Sequence, residues 1–136
     1  MSTEKPIVYV LDDEPSMLIA LSRILRARGY EVMAFEKPDD FFDYERTMGP
    51  ACLILDLAMP GLDGFEVQQQ LAENQDRIPI IFLTGHGDIP SSVKAIKAGA
   101  DDFLAKPVKG DDLVSAVESA LKRARAQQAE DVDITE

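Results

Sequence analysis

The sequence predicts an α/β fold, a five-stranded parallel sheet doubly wound by helices as (βα)5, and three observations carry that expectation. Five short apolar segments recur about every two dozen residues: Ile7-Val8-Tyr9-Val10-Leu11, Val32-Met33-Ala34-Phe35, Cys52-Leu53-Ile54-Leu55, Ile80-Ile81-Phe82-Leu83 and Phe103-Leu104-Ala105. Between them the hydrophobic period changes from that of strands to that of helices. The chain of 136 residues, 46% of them hydrophobic, has the size of one domain and can bury roughly two-thirds of its unfolded surface, enough for a core without disulfides or a structural metal.

The first, third and fourth segments are continuous apolar runs, as expected of parallel strands covered by helices on both faces. The second and fifth are weaker and are expected at the edges. Met17, Leu18, Leu21, Ile24 and Leu25 form a helical stripe after the first strand, and Leu113, Val117, Leu121 and Ala124 form another near the end, with Arg23, Arg26, Glu118 and Lys122 on the opposite faces. Pro15 suits a first helical turn, Gly29 a helix end, and Asp111-Asp112 a helix start. Parallel strands joined by right-handed crossovers, with the two weak strands outermost, give the flavodoxin-like order 2-1-3-4-5. The helical pattern fades after Arg125, so residues 1–125 are expected to form the domain and 126–136 an acidic polar tail or the start of a linker.

Composition excludes several classes. Cys52 is the only cysteine, which removes disulfide frameworks and cysteine-based zinc or iron–sulfur sites, and it reads as core filler. No apolar run approaches the roughly 20 residues of a membrane span, and Met1 to Pro6 lack the apolar core of a secretion signal, so a cytoplasmic location without membrane contact is expected. With 25 acidic against 14 basic residues and a net charge of −11, the summed field repels phosphate backbones, and direct nucleic-acid binding by this domain is not expected.

Doubly wound sheets bind ligands at the carboxyl ends of their strands. There the sequence places Asp12-Asp13 after the first strand, Asp56 after the third, Thr84-Gly85 after the fourth and Lys106-Pro107 after the fifth. Singly, each has a plain structural reading: a helix cap for Asp12-Asp13-Glu14-Pro15, a strand-end hydroxyl for Thr84, a solvated loop for Lys106. Asp56 is harder to dismiss, because it ends a wholly apolar central strand where an unpaired charge is costly. The strand order would gather all of them at one edge. Three carboxylates there repel one another unless cations intervene, one lysine does not balance them, and an oxygen-only, open site suits Mg²⁺ better than zinc. Mg²⁺, an ammonium and a hydroxyl around one carboxylate would neutralise a phosphoryl group arriving in line, which makes Asp56 the candidate nucleophile and an aspartyl phosphate the product.

These residues resemble the receiver domains of two-component response regulators. The resemblance covers residues 5 to 125 and rests on Asp12-Asp13, Leu53-Ile54-Leu55-Asp56-Leu57-Ala58-Met59-Pro60-Gly61 with Asp63-Gly64, Leu83-Thr84-Gly85, and Asp102-Phe103-Leu104-Ala105-Lys106-Pro107. The stretch from Thr84 to Pro90 is similar to receivers attached to LuxR-type helix-turn-helix transcription factors. The resemblance implies that Asp56 accepts a phosphoryl group from a phosphohistidine of a sensor histidine kinase. It implies that Asp13, Asp56 and the backbone carbonyl of Ala58 bind Mg²⁺, with Asp12 acting mostly through water. Lys106 would pair with a phosphoryl oxygen, the bond before Pro107 would be cis, Thr84 would move to the phosphoryl group, and Phe103 would rotate inward after it. The fourth helix, fifth strand and fifth helix would then form a switched surface for a partner or a second copy. Ala58 offers no polar side chain to guide a hydrolytic water, and His86 would either shield or attend the phosphoryl group. Gly85 leaves room for the donor.

The implied protein is a phosphoacceptor switch that assists its own phosphorylation and dephosphorylation rather than a turnover enzyme. A phosphohydrolase of the haloacid-dehalogenase type would need an Asp two residues after the nucleophile, where Ala58 stands. A flavodoxin-like cofactor carrier would need a phosphate loop after the first strand, where Asp12-Asp13-Glu14 repels one. Whether the switch governs a transcription-factor output domain or acts as a stand-alone relay or docking module stays open in the sequence.

Overall fold

Side chains alternate across each of the three central strands, and the alternation divides their apolar runs between two cores. Val8, Val10, Cys52, Ile54, Ile81 and Leu83 face one side, whereas Ile7, Tyr9, Leu11, Leu53, Leu55, Ile80 and Phe82 face the other. The structure is a computed structural model that describes residues 5–46, 49–57, 64–85 and 102–134, with side chains described as far as Gln127. Its strands are β1 (Ile7–Leu11), β2 (Glu31–Phe35), β3 (Ala51–Asp56), β4 (Ile80–Thr84) and β5 (Asp102–Ala105). They form one parallel sheet in the order β2-β1-β3-β4-β5, the order expected from the edge character of the second and fifth segments. The four residues of β5 are partly or largely exposed, which accounts for that segment's weak apolar signal.

Helix α1 (Pro15–Ala27) and the C-terminal helix (Gly110–Ile134) cover the first face; α2 (Pro38–Asp43) and α3 (Gly64–Glu73) cover the second. The α1 stripe is buried at Leu18, Leu21 and Leu25, with Met17 and Ile24 packed against it. Its end is closed by Gly29 at φ +91°, where the Gly29 N–H donates to the Arg26 carbonyl at 3.0 Å and the Tyr30 N–H to the Leu25 carbonyl at 3.1 Å. That pair of bonds is a Schellman closure, and its left-handed residue is most cheaply a glycine. On the second face Tyr9, Phe35, Phe41 and Tyr44 contact one another edge-on, tilted or stacked, and the Arg46 guanidinium lies over Tyr9 and Phe41 while pairing with Asp76.

In the C-terminal helix Leu113, Val117, Leu121 and Ala124 are buried as the stripe predicted, and the helix runs on past the fading of the sequence pattern to Ile134. Ala126, Gln127, Gln128, Ala129 and Glu130 are strong helix formers, so backbone propensity favours the helix where the amphipathic sequence pattern has faded. The helix expected between β4 and β5 lies outside the described residues.

Leu25 is fully buried between α1 and the sheet. Leu25→Ala is expected to lower unfolding free energy by about 2–5 kcal/mol, through lost transfer energy and the cavity left behind. Urea denaturation checks this, and the expected result is a lower midpoint at an unchanged slope.

Candidate functional site

The pairing of β1 with β3 sets Leu11 opposite Leu55, so the next residues, Asp12 and Asp56, stand abreast at the carboxyl edge of the two central strands. Both are buried, at 0% and 4% exposure, while Asp13 is exposed at the rim. On the other flank Asp56 is opposite Leu83, and Thr84 is opposite Ala105, which brings Lys106 to the same edge. The Lys106 N–H donates to the Thr84 carbonyl at 2.7 Å, and the peptide bond to Pro107 is cis. The Lys106 Nζ then lies 3.3 Å from Asp56 Oδ2.

Carboxylate oxygens of Asp12, Asp13 and Asp56 all lie within 4.8 Å of one another. Asp12 Oδ1 accepts the Glu14 N–H at 2.9 Å, a local turn bond and not a helix cap, since the N-cap of α1 is Glu14 and no side chain caps it. Asp12 Oδ2 is buried without a hydrogen-bond partner. An orphaned, buried carboxylate oxygen beside two further carboxylates is a donor set that fits a hard divalent cation. Thr84 is buried, and its hydroxyl donates to the Leu104 carbonyl at a long 3.5 Å. Phe103 is 40% exposed and so stands outward.

The sequence candidates Asp12, Asp13, Asp56, Thr84 and Lys106 therefore converge on one edge, with Phe103 on the adjoining strand. Ala58 and His86 lie outside the described residues. A family model, the response regulator receiver domain, matches residues 8–118. The chain belongs to that family.

The receiver is 43% identical over 136 residues to the response regulator protein TmoT of Ectopseudomonas mendocina, a match covering all of this chain and 62% of that protein. It is 39% identical over 122 residues to the transcriptional regulatory protein FixJ of Bradyrhizobium diazoefficiens, covering 90% of this chain and 60% of that one. Among solved structures it superposes on the response regulator StyR with a TM-score of 0.87 and 42% identity, covering 97% of this chain and 67% of that chain. The chain thus spans about 60% of the length of these two curated relatives.

The electrostatics of the receiver site centre on Asp12. Burial pushes its carboxyl from 3.8 up to about 6, the Glu14 N–H opposes the rise, and the neighbouring Asp56 adds to it. The carboxylate repulsion expected from the sequence contributes to the rise, and loss of hydration is the larger cause. One positioning element escaped sequence reasoning altogether. The first residue of α3, Gly64, packs directly against the backbone of Asp56 and Leu57, a contact that local sequence does not announce.

Because folding raises the Asp12 pKa, the folded state holds the proton more tightly than the unfolded one. The stability this proton contributes is complete below pH 3.8 and is lost as pH rises through about 6. In chelator, Asp12→Asn keeps an acceptor for Glu14 and removes the charge, so it is expected to stabilise the metal-free protein at pH 7 by about 1–3 kcal/mol. That gain should shrink steadily toward pH 4. Urea unfolding across pH measures it, and a variant less stable than wild type at pH 7 contradicts the assignment.

Proposed function

We propose that this receiver takes a phosphoryl group from a phosphohistidine of a sensor kinase onto Asp56. A carboxylate oxygen of Asp56 attacks phosphorus in line, the P–N bond to the donor imidazole breaks, and that nitrogen leaves with the bonding pair. The observation that carries the reading is the Lys106 ammonium 3.3 Å from the buried Asp56 carboxylate, across from the acidic pair. An isolated buried carboxylate would be costly; one flanked by an ammonium on one side and a cation-binding pair on the other is prepared for an incoming trianion-like transition state.

Asp13 and Asp56 would hold Mg²⁺ directly with the Ala58 carbonyl, and Asp12 through water. When bound, the ion supplies charge neutralisation at the phosphoryl oxygens. Lys106 leaves its contact with Asp56 Oδ2 to pair with a phosphoryl oxygen. The Thr84 hydroxyl gives up its long bond to the Leu104 carbonyl and donates to the phosphoryl group, and Phe103 follows into the space vacated. Phe103 has no hydroxyl, so its part in the switch is packing alone. The surface of β5, of the C-terminal helix and of the helix expected from the sequence before β5 is then read by a partner or by a second copy in a phosphorylation-dependent dimer.

The relatives support an output in transcription control, since those matched are response regulators and a transcriptional regulatory protein longer than this chain. On this reading the receiver is a cytoplasmic switch whose own surface does not contact DNA. Relay or docking without an output domain is the alternative, and nothing in the site favours it.

Incubation with acetyl phosphate and Mg²⁺ is expected to add the mass of one phosphoryl group. Asp56→Asn should abolish the addition, and excess chelator should suppress it. Intact-protein mass spectrometry reads all three, and an unmodified wild type overturns the proposal.

A further inference from the structure

The start of α3 approaches the end of β3 more closely than a side chain permits. A Cβ placed on Gly64 would stand 2.7 Å from Phe82 Cε1, 3.0 Å from the Asp56 carbonyl oxygen and 3.0 Å from Leu57 Cα. Ordinary carbon contacts begin near 3.4 Å, so something would have to shift. The Phe82 ring is fully buried and lies against Phe65 at 6.0 Å, which leaves it little room to yield. The other two atoms are backbone. They belong to the Asp56–Leu57 peptide, whose N–H donates to the Leu83 carbonyl at 3.0 Å, and the carbonyl of Leu57, one peptide on, accepts the Gly64 N–H at 2.9 Å.

That same peptide carries the Asp56 side chain. Its carboxylate must keep its place 3.3 Å from Lys106 Nζ and within 4.8 Å of the oxygens of Asp12 and Asp13. Displacing the carrier by a few tenths of an ångström changes all these separations together. From this we infer that Gly64 is a positioning residue for the chemistry of Asp56. Lacking a side chain, it lets α3 seat on the Asp56–Leu57 peptide and so fixes where the carboxylate stands relative to Lys106 and the acidic pair. The inference rests on Asp56 being the phosphoacceptor. A purely structural role, filling space beside Phe82, is the competing account, and the two contacts can be separated.

Phe82→Leu removes Cε1, hence the 2.7 Å contact, and leaves the two 3.0 Å backbone contacts in place. Gly64→Ala, Phe82→Leu and the double variant are compared by melting temperature, by maximal rate and half-saturation with acetyl phosphate, and by calorimetric Mg²⁺ affinity. If Gly64 positions Asp56, Gly64→Ala lowers the maximal rate by about tenfold or more and weakens Mg²⁺ binding. The double variant then recovers the melting temperature of Phe82→Leu but keeps the loss of rate and of Mg²⁺ affinity. A double variant that matches Phe82→Leu in rate and affinity overturns the inference, as does a folded Gly64→Ala with wild-type values. Should Gly64→Ala alone fail to fold, the double variant against Phe82→Leu decides. A wild type that takes up no phosphoryl group would instead defeat the phosphoacceptor reading. Mg²⁺ affinity would still test Gly64 in that case, weakened binding supporting its role and unchanged binding overturning it.

Discussion

The in-register pairing of β1 with β3 is the constraint on which the rest depends. Leu11 opposite Leu55 sets Asp12 beside Asp56, and a slip of one residue would turn each side chain of a strand to the other face and draw the two carboxylates apart. The register is enforced by the two cores, since both faces of β1 and β3 are buried. The same burial makes the site expensive. Asp12 and Asp56 are taken almost wholly from water and receive partial compensation, a backbone N–H for the one and the Lys106 ammonium for the other. A sheet built only for stability would end these strands in apolar or hydroxyl side chains. This one accepts a local penalty where charge is useful.

Much of this could be read from the sequence because the rules involved are local. Continuous apolar runs marked the three central strands, weak runs marked the edges, and the residue following each strand named the site. The division of those runs between two faces was invisible, because a strand buried on both sides shows no polar alternation. The C-terminal helix runs past Arg125, where the amphipathic signal stops but helix propensity does not. At the site, residue identities were readable and causes were not. That burial rather than repulsion leads the rise at Asp12 depends on how completely the fold covers it. Gly64 stood in the recognised motif without a role, because its reason is a contact with Phe82, eighteen residues away on β4.

The state of Thr84 and Phe103 bears on whether the proposed switch is energetically balanced. The bond from the Thr84 hydroxyl to the Leu104 carbonyl, at 3.5 Å, is weak, so releasing it costs little, whereas a bond to a phosphoryl oxygen is charge-assisted and roughly twice as strong as a neutral one. Phe103 is 40% exposed, which for a ring burying about 200 Å² corresponds to about 80 Å² still in water and about 2 kcal/mol on full burial. In the proposed switch that gain follows the movement of Thr84. The structure holds the Thr84 hydroxyl by one long bond and leaves the Phe103 ring outside, the resting arrangement that the proposed switch requires. A resting bias of a few kcal/mol is what a single charged group can reverse, because moving an equilibrium from 1:99 to 99:1 takes about 5.5 kcal/mol. A tighter Thr84 bond or an already buried Phe103 would place the resting state beyond that reach. In the proposed switch, the loose hydroxyl and the exposed ring would keep the two packings within the range that one phosphoryl group on Asp56 can exchange.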